Sequence, residues 1–315
     1  MPNPFLPNPW EHVDEPIYPN GKYLYQDDRR FYVSMNDDKQ FNFFVELKGN
    51  HSLNEIPALK SIKIDVVHFN NSTRLVCTLE ENEILDKFTW VAMDLAIHCA
   101  SFDDHLVLDE CKEKLLEWSL FLRPDRRGLT RSEKIGFWGE LYALTEFIIP
   151  KYKHEQAINF WIGPDGKKQD FAMNEIAIEV KTTESFESSQ IKISSLDQLH
   201  QITPHLYLLH LLMNKSDNQD GFSIDEMYRA VLDEISNDAT LSLNFVNKTR
   251  QLYQKATNED LNEKYLFLES HVYEVKDNFP CITSEVVPGI DKANYSIRTS
   301  TIKSFLLDQD IRDLI

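Results

Sequence analysis

The chain of 315 residues contains no run of 18 apolar residues, so the sequence predicts no membrane span. Its four cysteines are scattered without the spacing of a metal site, which is typical of reduced thiols in a cytoplasmic protein. The amino-terminal stretch has neither a basic start nor an apolar core, which argues against secretion. Glycine is scarce, at nine residues, and no phosphate-binding loop or Gly-rich nucleotide fingerprint is present. We therefore expect a cytoplasmic globular protein.

Basic residues are also few, because 33 Lys and Arg stand against 51 Asp and Glu, for a net charge of −18. This balance is unfavourable for nucleic-acid binding, which draws much of its affinity from basic side chains on phosphates. The acidic excess is uneven, however, since residues 121–200 carry eleven basic and twelve acidic side chains. We expect the excess elsewhere to serve solubility or docking to a basic partner.

The most informative pattern is a hairpin predicted within residues 171–178. Two short strand-like segments there flank residues 174–175, which fit a two-residue turn. Such a turn pairs 173 with 176, 172 with 177 and 171 with 178. It also places Asp170 opposite Glu179, with Cβ atoms about 5 Å apart. Lys181 is two residues beyond Glu179 and therefore on the same face of the strand.

Two carboxylates placed directly opposite each other destabilise a hairpin, so something must offset their repulsion. A divalent cation held between the oxygens of Asp170 and Glu179 is the natural candidate. The hairpin therefore predicts a metal site of the kind that metal-dependent phosphodiesterases use. A chance acidic hairpin, whose lysine merely pairs with a neighbour, is the alternative interpretation.

With the upstream helical Glu140, these residues resemble the motif of the PD-(D/E)XK nuclease superfamily. The narrower resemblance is to bacterial PD-(D/E)XK motif proteins of restriction-like defence loci. It extends loosely over most of the chain, but only residues 130–200 carry specific motifs, at 136–141, 161–181 and 193–199. One departure is that Gln169, and not a proline, precedes Asp170. The Pro-Asp pair that is present, at 164–165, would lie outside the hairpin.

The resemblance implies a metal-dependent nuclease, and more narrowly a DNA endonuclease of a restriction-like or phage-defence system. Asp170, Glu179 and Glu140 would bind Mg²⁺, for which Mn²⁺ would substitute, together with waters and substrate phosphate. Lys181 would orient the attacking water and stabilise charge on phosphorus. Gln198 would steady that water or a phosphate oxygen, although an ordinary amide on a helix surface is an equal alternative.

The (Asp/Glu)-x-Lys signal is not specific by itself, because it recurs at 37–39, 46–48, 110–112, 165–167 and 274–276. The copy at 46–48 even has Asp38 upstream and a strand-like run between them. Only the copy at 179–181 combines a preceding helix, a facing Asp, an alternating apolar strand and a following helix with a Gln. The context, more than the motif, therefore supports the site.

The sequence also suggests roles for a basic cluster and for three histidines. A basic cluster precedes the key helix, and we expect it to contact nucleic-acid phosphates; it consists of Arg123, Arg126, Arg127 and Arg131. His200, His205 and His210 are spaced by five, which matches neither strand nor helix ligand geometry, so we interpret them as structural.

Thr130 and Glu133 have the spacing of a capping box, which predicts a helix from there through about Ile149. This helix contains two glycines, Gly136 and Gly139, which are poor helix formers. Their expected use is a close approach of the helix backbone to the sheet, which would bring Glu140 toward Asp170. A solvated helical charge is the alternative interpretation of Glu140.

The pattern predicts an α/β chain, α+β overall, with three regions. Residues 1–123 form an antiparallel β-rich domain with two helices, because strand-like runs of two-residue period precede two amphipathic stretches. Residues 124–214 form the nuclease core, a restriction-endonuclease-like αβββαβ arrangement that the resemblance implies. Residues 215–315 form a carboxy-terminal α/β extension.

Two rival functions remain open at this stage. A catalytically silent docking subunit of a defence complex is favoured by the acidic surface and by the large flanking regions. An enzyme that processes RNA or nucleic-acid ends would share the same site. We expect double-stranded DNA and companion proteins of a restriction-like system as partners, and no membrane.

Overall fold

The structure, a computed structural model, describes residues 9–25, 28–53, 59, 61–69, 71–81, 85–122, 128–201, 203–216, 220–282 and 293–315. The chain divides into two compact units, one of residues 1–125 and 235–246 and the other of residues 126–234 and 247–315. Among the described residues, no helix is long and apolar enough to cross a membrane. The division predicted at residues 123 and 214 stays a prediction about independently folding regions.

The first unit contains a five-stranded antiparallel sheet of order β1-β2-β3-β5-β4. Its strands are β1 (Lys22–Tyr23), β2 (Phe31–Met35), β3 (Phe41–Lys48), β4 (Ile62–Phe69) and β5 (Ser72–Leu79). Two helices follow, α1 (Leu85–Cys99) and α2 (Asp104–Leu122). Phe88 of α1 packs on Phe43 of β3, with ring centroids 5.1 Å apart, and both side chains are buried. The predicted antiparallel region with two helices is confirmed.

The second unit contains a four-stranded sheet and a separate two-stranded ribbon. The strands are β6 (Phe171–Met173), β7 (Ile176–Glu184), β8 (Gln190–Ile193), β9 (His205–Lys215), β10 (Tyr265–Glu274) and β11 (Tyr295–Arg298). The sheet has the order β10-β9-β7-β6, in which only β7 and β9 are parallel. The ribbon pairs β8 with β11. β7 is therefore an inner strand, whose side chains can be shielded from water on both faces.

The other helices are α3 (Arg131–Ala143), α4 (His154–Phe160), α5 (Ile224–Ile235), α6 (Ala239–Lys255), α7 (Asn258–Asn262) and α8 (Ile311–Leu314). The predicted capping box starts α3, because the Thr130 side chain accepts from the Glu133 N–H and the Glu133 carboxylate accepts from the Thr130 N–H. A π-helical turn, Leu144–Ile148, continues α3 to the predicted end of the helix. This mixture of helices and mostly antiparallel strands confirms the α+β class.

The β6–β7 hairpin has the predicted register, with pairs 171/178, 172/177 and 173/176. Asn174 at its turn has φ 48°, a left-handed conformation that Asn tolerates better than most residues. The hairpin therefore brings Asp170, just before β6, next to the middle of β7.

The segment between β8 and β9 differs from the prediction, because residues 195–199 form turns and no helix holds Gln198. The Gln169 side-chain amide lies within 3.3 Å of the carbonyl oxygens of residues 197, 198 and 200 and donates to them. A helix would use such carbonyls internally. The second helix of the predicted αβββαβ order is therefore missing here, and β8 pairs with β11 instead of with the hairpin.

Candidate active site

Glu179 and Lys181 lie two residues apart on β7 and therefore on the same face of this inner strand. Glu179 is fully buried, and its Oε1 accepts a hydrogen bond from Lys181 Nζ at 2.6 Å. Its Oε2 is also buried and has no hydrogen-bond partner within the described part of the chain. Because buried polar atoms are nearly always hydrogen-bonded, such a carboxylate oxygen is a candidate ligand for a cation.

Asp170 is held on both sides by backbone groups. Its carbonyl oxygen accepts from the N–H groups of Ile162 at 2.8 Å and Gly163 at 3.0 Å. Its Oδ2 accepts from the Val180 N–H at 2.7 Å, which ties the carboxylate to the residue between Glu179 and Lys181. The Asp170 N–H also donates to the Ile178 carbonyl oxygen at 3.1 Å. The predicted juxtaposition of Asp170 with the Glu-x-Lys segment therefore arises from a backbone contact and a side-chain contact that both continue the hairpin.

Glu140 reaches the site because α3 approaches β7 closely at Gly139. A Cβ on Gly139 would lie 1.8 Å from Thr182 Oγ1. This contact is too short for two atoms that are not bonded, so no residue with a side chain fits at this position. The predicted use of Gly139 is confirmed, but that of Gly136 is wrong, because a Cβ there would meet nothing within 4 Å. Glu140 Oε2 accepts from Trp161 Nε1 at 2.8 Å, which fixes the direction of the carboxylate.

Gly163 shows that two of the three carboxylates converge. A Cβ on this glycine would lie 2.9 Å from Asp170 Oδ1 and 3.2 Å from Glu140 Oε2. The two oxygens are therefore no farther apart than the sum of these distances. Any larger residue at this position would push against both carboxylates, so the glycine keeps the space beside them open.

Burial raises the pKa values of all three carboxyl groups, and the charge of Asp170 raises those of Glu140 and Glu179 further. Burial, reinforced by Asp170, raises the pKa of Glu140 to about 8. Burial also raises the pKa of Asp170, and burial followed by the charge of Asp170 raises the pKa of Glu179 well above its ordinary value. Burial alone would lower the pKa of Lys181, but Glu179 and Asp170 outweigh it, so its pKa is raised and the ammonium stays charged. The site therefore favours additional positive charge.

The donor set fits a hard divalent cation, for which carboxylate oxygens are preferred ligands. Among the described residues, no group of three or more His, Cys, Asp or Glu side chains is arranged so that all could hold one metal ion. Mg²⁺ does not require three, because it commonly uses one or two carboxylates and completes its shell with water and substrate phosphate. Glu179 Oε2, which has no partner, and Asp170 Oδ1, which faces Gly163, are the oxygens that suit this role.

Gln198 and Arg131 of the basic cluster have hydrogen-bond or ion-pair partners of their own. Gln198 Oε1 accepts from the Ser194 N–H at 2.9 Å and so stabilises its own turn. Arg131 pairs with Glu184 and, at 3.1 Å, with Glu187, so its charge is already balanced by two carboxylates. The other three arginines of the cluster, Arg123, Arg126 and Arg127, lie outside the described residues. Phosphate contacts by this cluster stay a prediction.

Sequence reasoning missed two side chains near the site. His210 on β9 is in register with Lys181, is 1% exposed, and shares a hydrogen bond of 2.7 Å with Thr183 Oγ1 through Nε2. Tyr295 on β11 is close enough for the charges of Lys181 and Glu179 to act on the pKa of its hydroxyl, which burial raises. The parallel pairing of β7 with β9 and the packing of the ribbon bring these side chains near the site. Neither can be predicted from the spacing of residues in the sequence.

A helical glutamate beside a hairpin that carries Asp170, Glu179 and Lys181 places the molecule in the PD-(D/E)XK class, with its nuclease-like fold. The chain belongs to the family described as "Putative PD-(D/E)XK family member, (DUF4420)", whose model matches residues 8–300. The predicted membership of the PD-(D/E)XK superfamily is thereby confirmed. No curated protein and no solved structure matches the chain.

Proposed function

We propose that this protein is a metal-dependent nuclease that hydrolyses phosphodiester bonds, acting as an endonuclease on double-stranded DNA. The observation that carries the proposal is the buried, unpartnered Oε2 of Glu179, beside Asp170 and the charged Lys181. A carboxylate in this environment costs stability, and strongly perturbed groups of this kind concentrate at functional sites.

Each side chain has a distinct role in this proposal. Asp170 and Glu179 would hold Mg²⁺, or Mn²⁺ in its place, with Glu140 as the third carboxylate of the site. The bound cation neutralises the carboxylates and stabilises negative charge that develops on the phosphate. Lys181 Nζ, oriented by its hydrogen bond to Glu179 Oε1, positions the attacking water and stabilises the same charge. Gln198 steadies that water or a phosphate oxygen.

The setting we propose follows from the sequence resemblance to proteins of restriction-like loci. The protein would act in the cytoplasm as part of a phage-defence system, together with companion proteins. The net charge of −18 also suits a catalytically silent docking subunit with a basic partner, which is the second candidate function.

One experiment separates the two candidates. Mn²⁺ binding is measured by calorimetry, and cleavage is measured on supercoiled and linear DNA, for the wild type, Asp170→Ala and the control Asp38→Ala. We expect Asp170→Ala alone to lose both metal binding and cleavage. Asp38 is an exposed residue upstream of another Glu-x-Lys segment, so its loss should change neither. If the wild type binds no Mn²⁺ and cleaves nothing, even with companion proteins, the docking function replaces the nuclease.

A further inference from the structure

The β8–β11 ribbon has two unlike faces. Its inner face is apolar, with Ile191, Ile193 and Ile297 buried in one cluster with Ala177 and Leu208 of the four-stranded sheet. Its outer face is polar and exposed, and its side chains are Gln190, Lys192, Ser296 and Arg298. The apolar contact holds the ribbon firmly on the sheet, so the outer face is a fixed surface.

The two strands of the ribbon are basic in an otherwise acidic chain, and the nearest acidic residues in sequence on the described flanks are Glu187, Asp197 and Asp308. Residues 188–196 and 293–307 contain three basic side chains, Lys192, Arg298 and Lys303, and no Asp or Glu, whereas the whole chain has a net charge of −18. All three are exposed, and none has an ion-pair partner in the described part of the chain. Arg131, by contrast, is balanced by Glu184 and Glu187. The ribbon is therefore better suited to bind an anionic partner.

The ribbon also lies on the side of the sheet that carries the candidate site. Ala177 belongs to the apolar cluster under the ribbon, and it lies on the same face of β7 as Glu179 and Lys181. Tyr295, the first residue of β11, experiences the charges of both Lys181 and Glu179. The Tyr295 end of the ribbon is therefore near the candidate site.

We propose that the outer face of the β8–β11 ribbon binds the phosphate backbone of double-stranded DNA and guides it to the carboxylate site. This inference rests on the proposed nuclease function. Lys192 and Arg298 are diagonal neighbours, because Lys192 pairs with Ser296 and Gln190 with Arg298. Diagonal side chains are about 7–8 Å apart, close to the distance between neighbouring phosphorus atoms along one strand of B-form DNA.

Exposed hydroxyls supplement the two charges. Serines that surround the basic residues can donate to phosphate oxygens; they are Ser189, Ser194, Ser195, Ser296, Ser300 and Ser304. Phosphate contacts of this kind fix the position and orientation of a protein on a duplex without reading its sequence.

The test measures the affinity of Lys192→Glu/Arg298→Glu for a labelled duplex DNA of about 30 base pairs, over a series of salt concentrations without divalent metal. Losing two phosphate contacts should weaken binding about 10- to 100-fold and lower the salt slope by about two. Lys192→Gln/Arg298→Gln should give the same loss of slope with a smaller loss of affinity. Lys48→Glu/Lys63→Glu changes the net charge equally at two exposed strand positions in the other sheet and is the control.

Equal weakening by the ribbon variant and the control would overturn the proposal, because it would reduce the effect to net charge. So would a wild type that binds duplex RNA or single-stranded DNA but not duplex DNA. Mn²⁺ calorimetry and DNA cleavage distinguish this inference from the nuclease function. Normal cleavage by the ribbon variant would refute the ribbon and leave the nuclease, whereas ribbon-dependent binding without any cleavage would support the ribbon and refute the nuclease.

Discussion

Two Glu-x-Lys segments lie on strands of this chain, one on β3 and one on β7, and their glutamates are treated differently by the fold. Glu46 of β3 is partly exposed, and both its oxygens are satisfied, by Arg74 at 2.9 Å and by the Ser72 hydroxyl at 2.9 Å. Glu179 of β7 is fully buried, and only one of its oxygens has a partner. The same three-residue pattern therefore forms a structural ion pair in one sheet and an unsatisfied carboxylate in the other.

This difference shows which property distinguishes a functional motif from a chance copy. A strand that supports only the fold satisfies its charges, because an unsatisfied buried charge costs several kcal/mol. Natural proteins depart from this rule mainly at functional sites. A second buried carboxylate, that of Asp170, lies near Glu179, and burial raises its pKa as well.

The largest expected effect is on catalysis. Lys181→Ala should reduce DNA cleavage about 1000-fold or more, because it removes charge stabilisation that acts in the transition state. Metal and DNA binding should remain nearly unchanged, since lysine is not a metal ligand. Lys48→Ala, the same change in the β3 copy, should cleave like the wild type. Cleavage assays with Mg²⁺ and calorimetry with Mn²⁺ measure the two quantities separately. Equal activity of the wild type and Lys181→Ala would remove the distinction between the two segments.

Histidine–threonine pairs give a second comparison, in the pH dependence of stability. Burial, followed by the nearby His271, lowers the pKa of His210 from 6.5 to about 4. The unfolded chain therefore binds more protons between these pH values, and stability falls as the pH drops from about 6.5 to about 4, by about 3 kcal/mol in total. Denaturant unfolding at several pH values should show this loss in the wild type but not in His210→Gln.

The control for His210 is His68, an exposed histidine on β4 that contacts Thr73 Oγ1 at 3.3 Å. His68→Gln should retain the acid-induced loss of stability that the wild type shows. A loss that persists equally in His210→Gln would assign the pH dependence to other groups.

A third contrast concerns the stability of the metal-free protein. Glu179→Gln removes a buried charge next to Asp170 and should raise the free energy of unfolding by about 1–2 kcal/mol near pH 8. Glu46→Gln weakens a satisfied pair with Arg74 and should lower the free energy of unfolding by about 0.5–1 kcal/mol. Changes of the same sign in both variants would mean that Glu179 is an ordinary structural carboxylate.

Local patterns predicted much of this molecule. The hairpin register, the Thr130–Glu133 capping box and the approach of Gly139 to the sheet all depend on neighbouring residues, whose chemistry the sequence displays. The turns around Gln198 could not be predicted in this way, because a distant side chain, that of Gln169, binds their carbonyl groups. The parallel pairing that sets His210 beside Lys181 and the basic ribbon also depend on long-range packing.

The last contrast is between the two glycines of α3, which differ in what lies opposite them. Gly139→Ala places a Cβ 1.8 Å from Thr182 Oγ1, so α3 must move away from β7. We expect the free energy of unfolding to fall by about 1–3 kcal/mol. The movement should also displace Glu140 and slow cleavage. Gly136→Ala meets nothing within 4 Å and should stabilise the helix by about 0.5–1 kcal/mol without changing cleavage. Thermal unfolding and cleavage rates of the two variants provide the measurement. If Gly139→Ala were as stable and active as Gly136→Ala, the close approach of α3 to the strand that carries Glu179 would not be what positions Glu140.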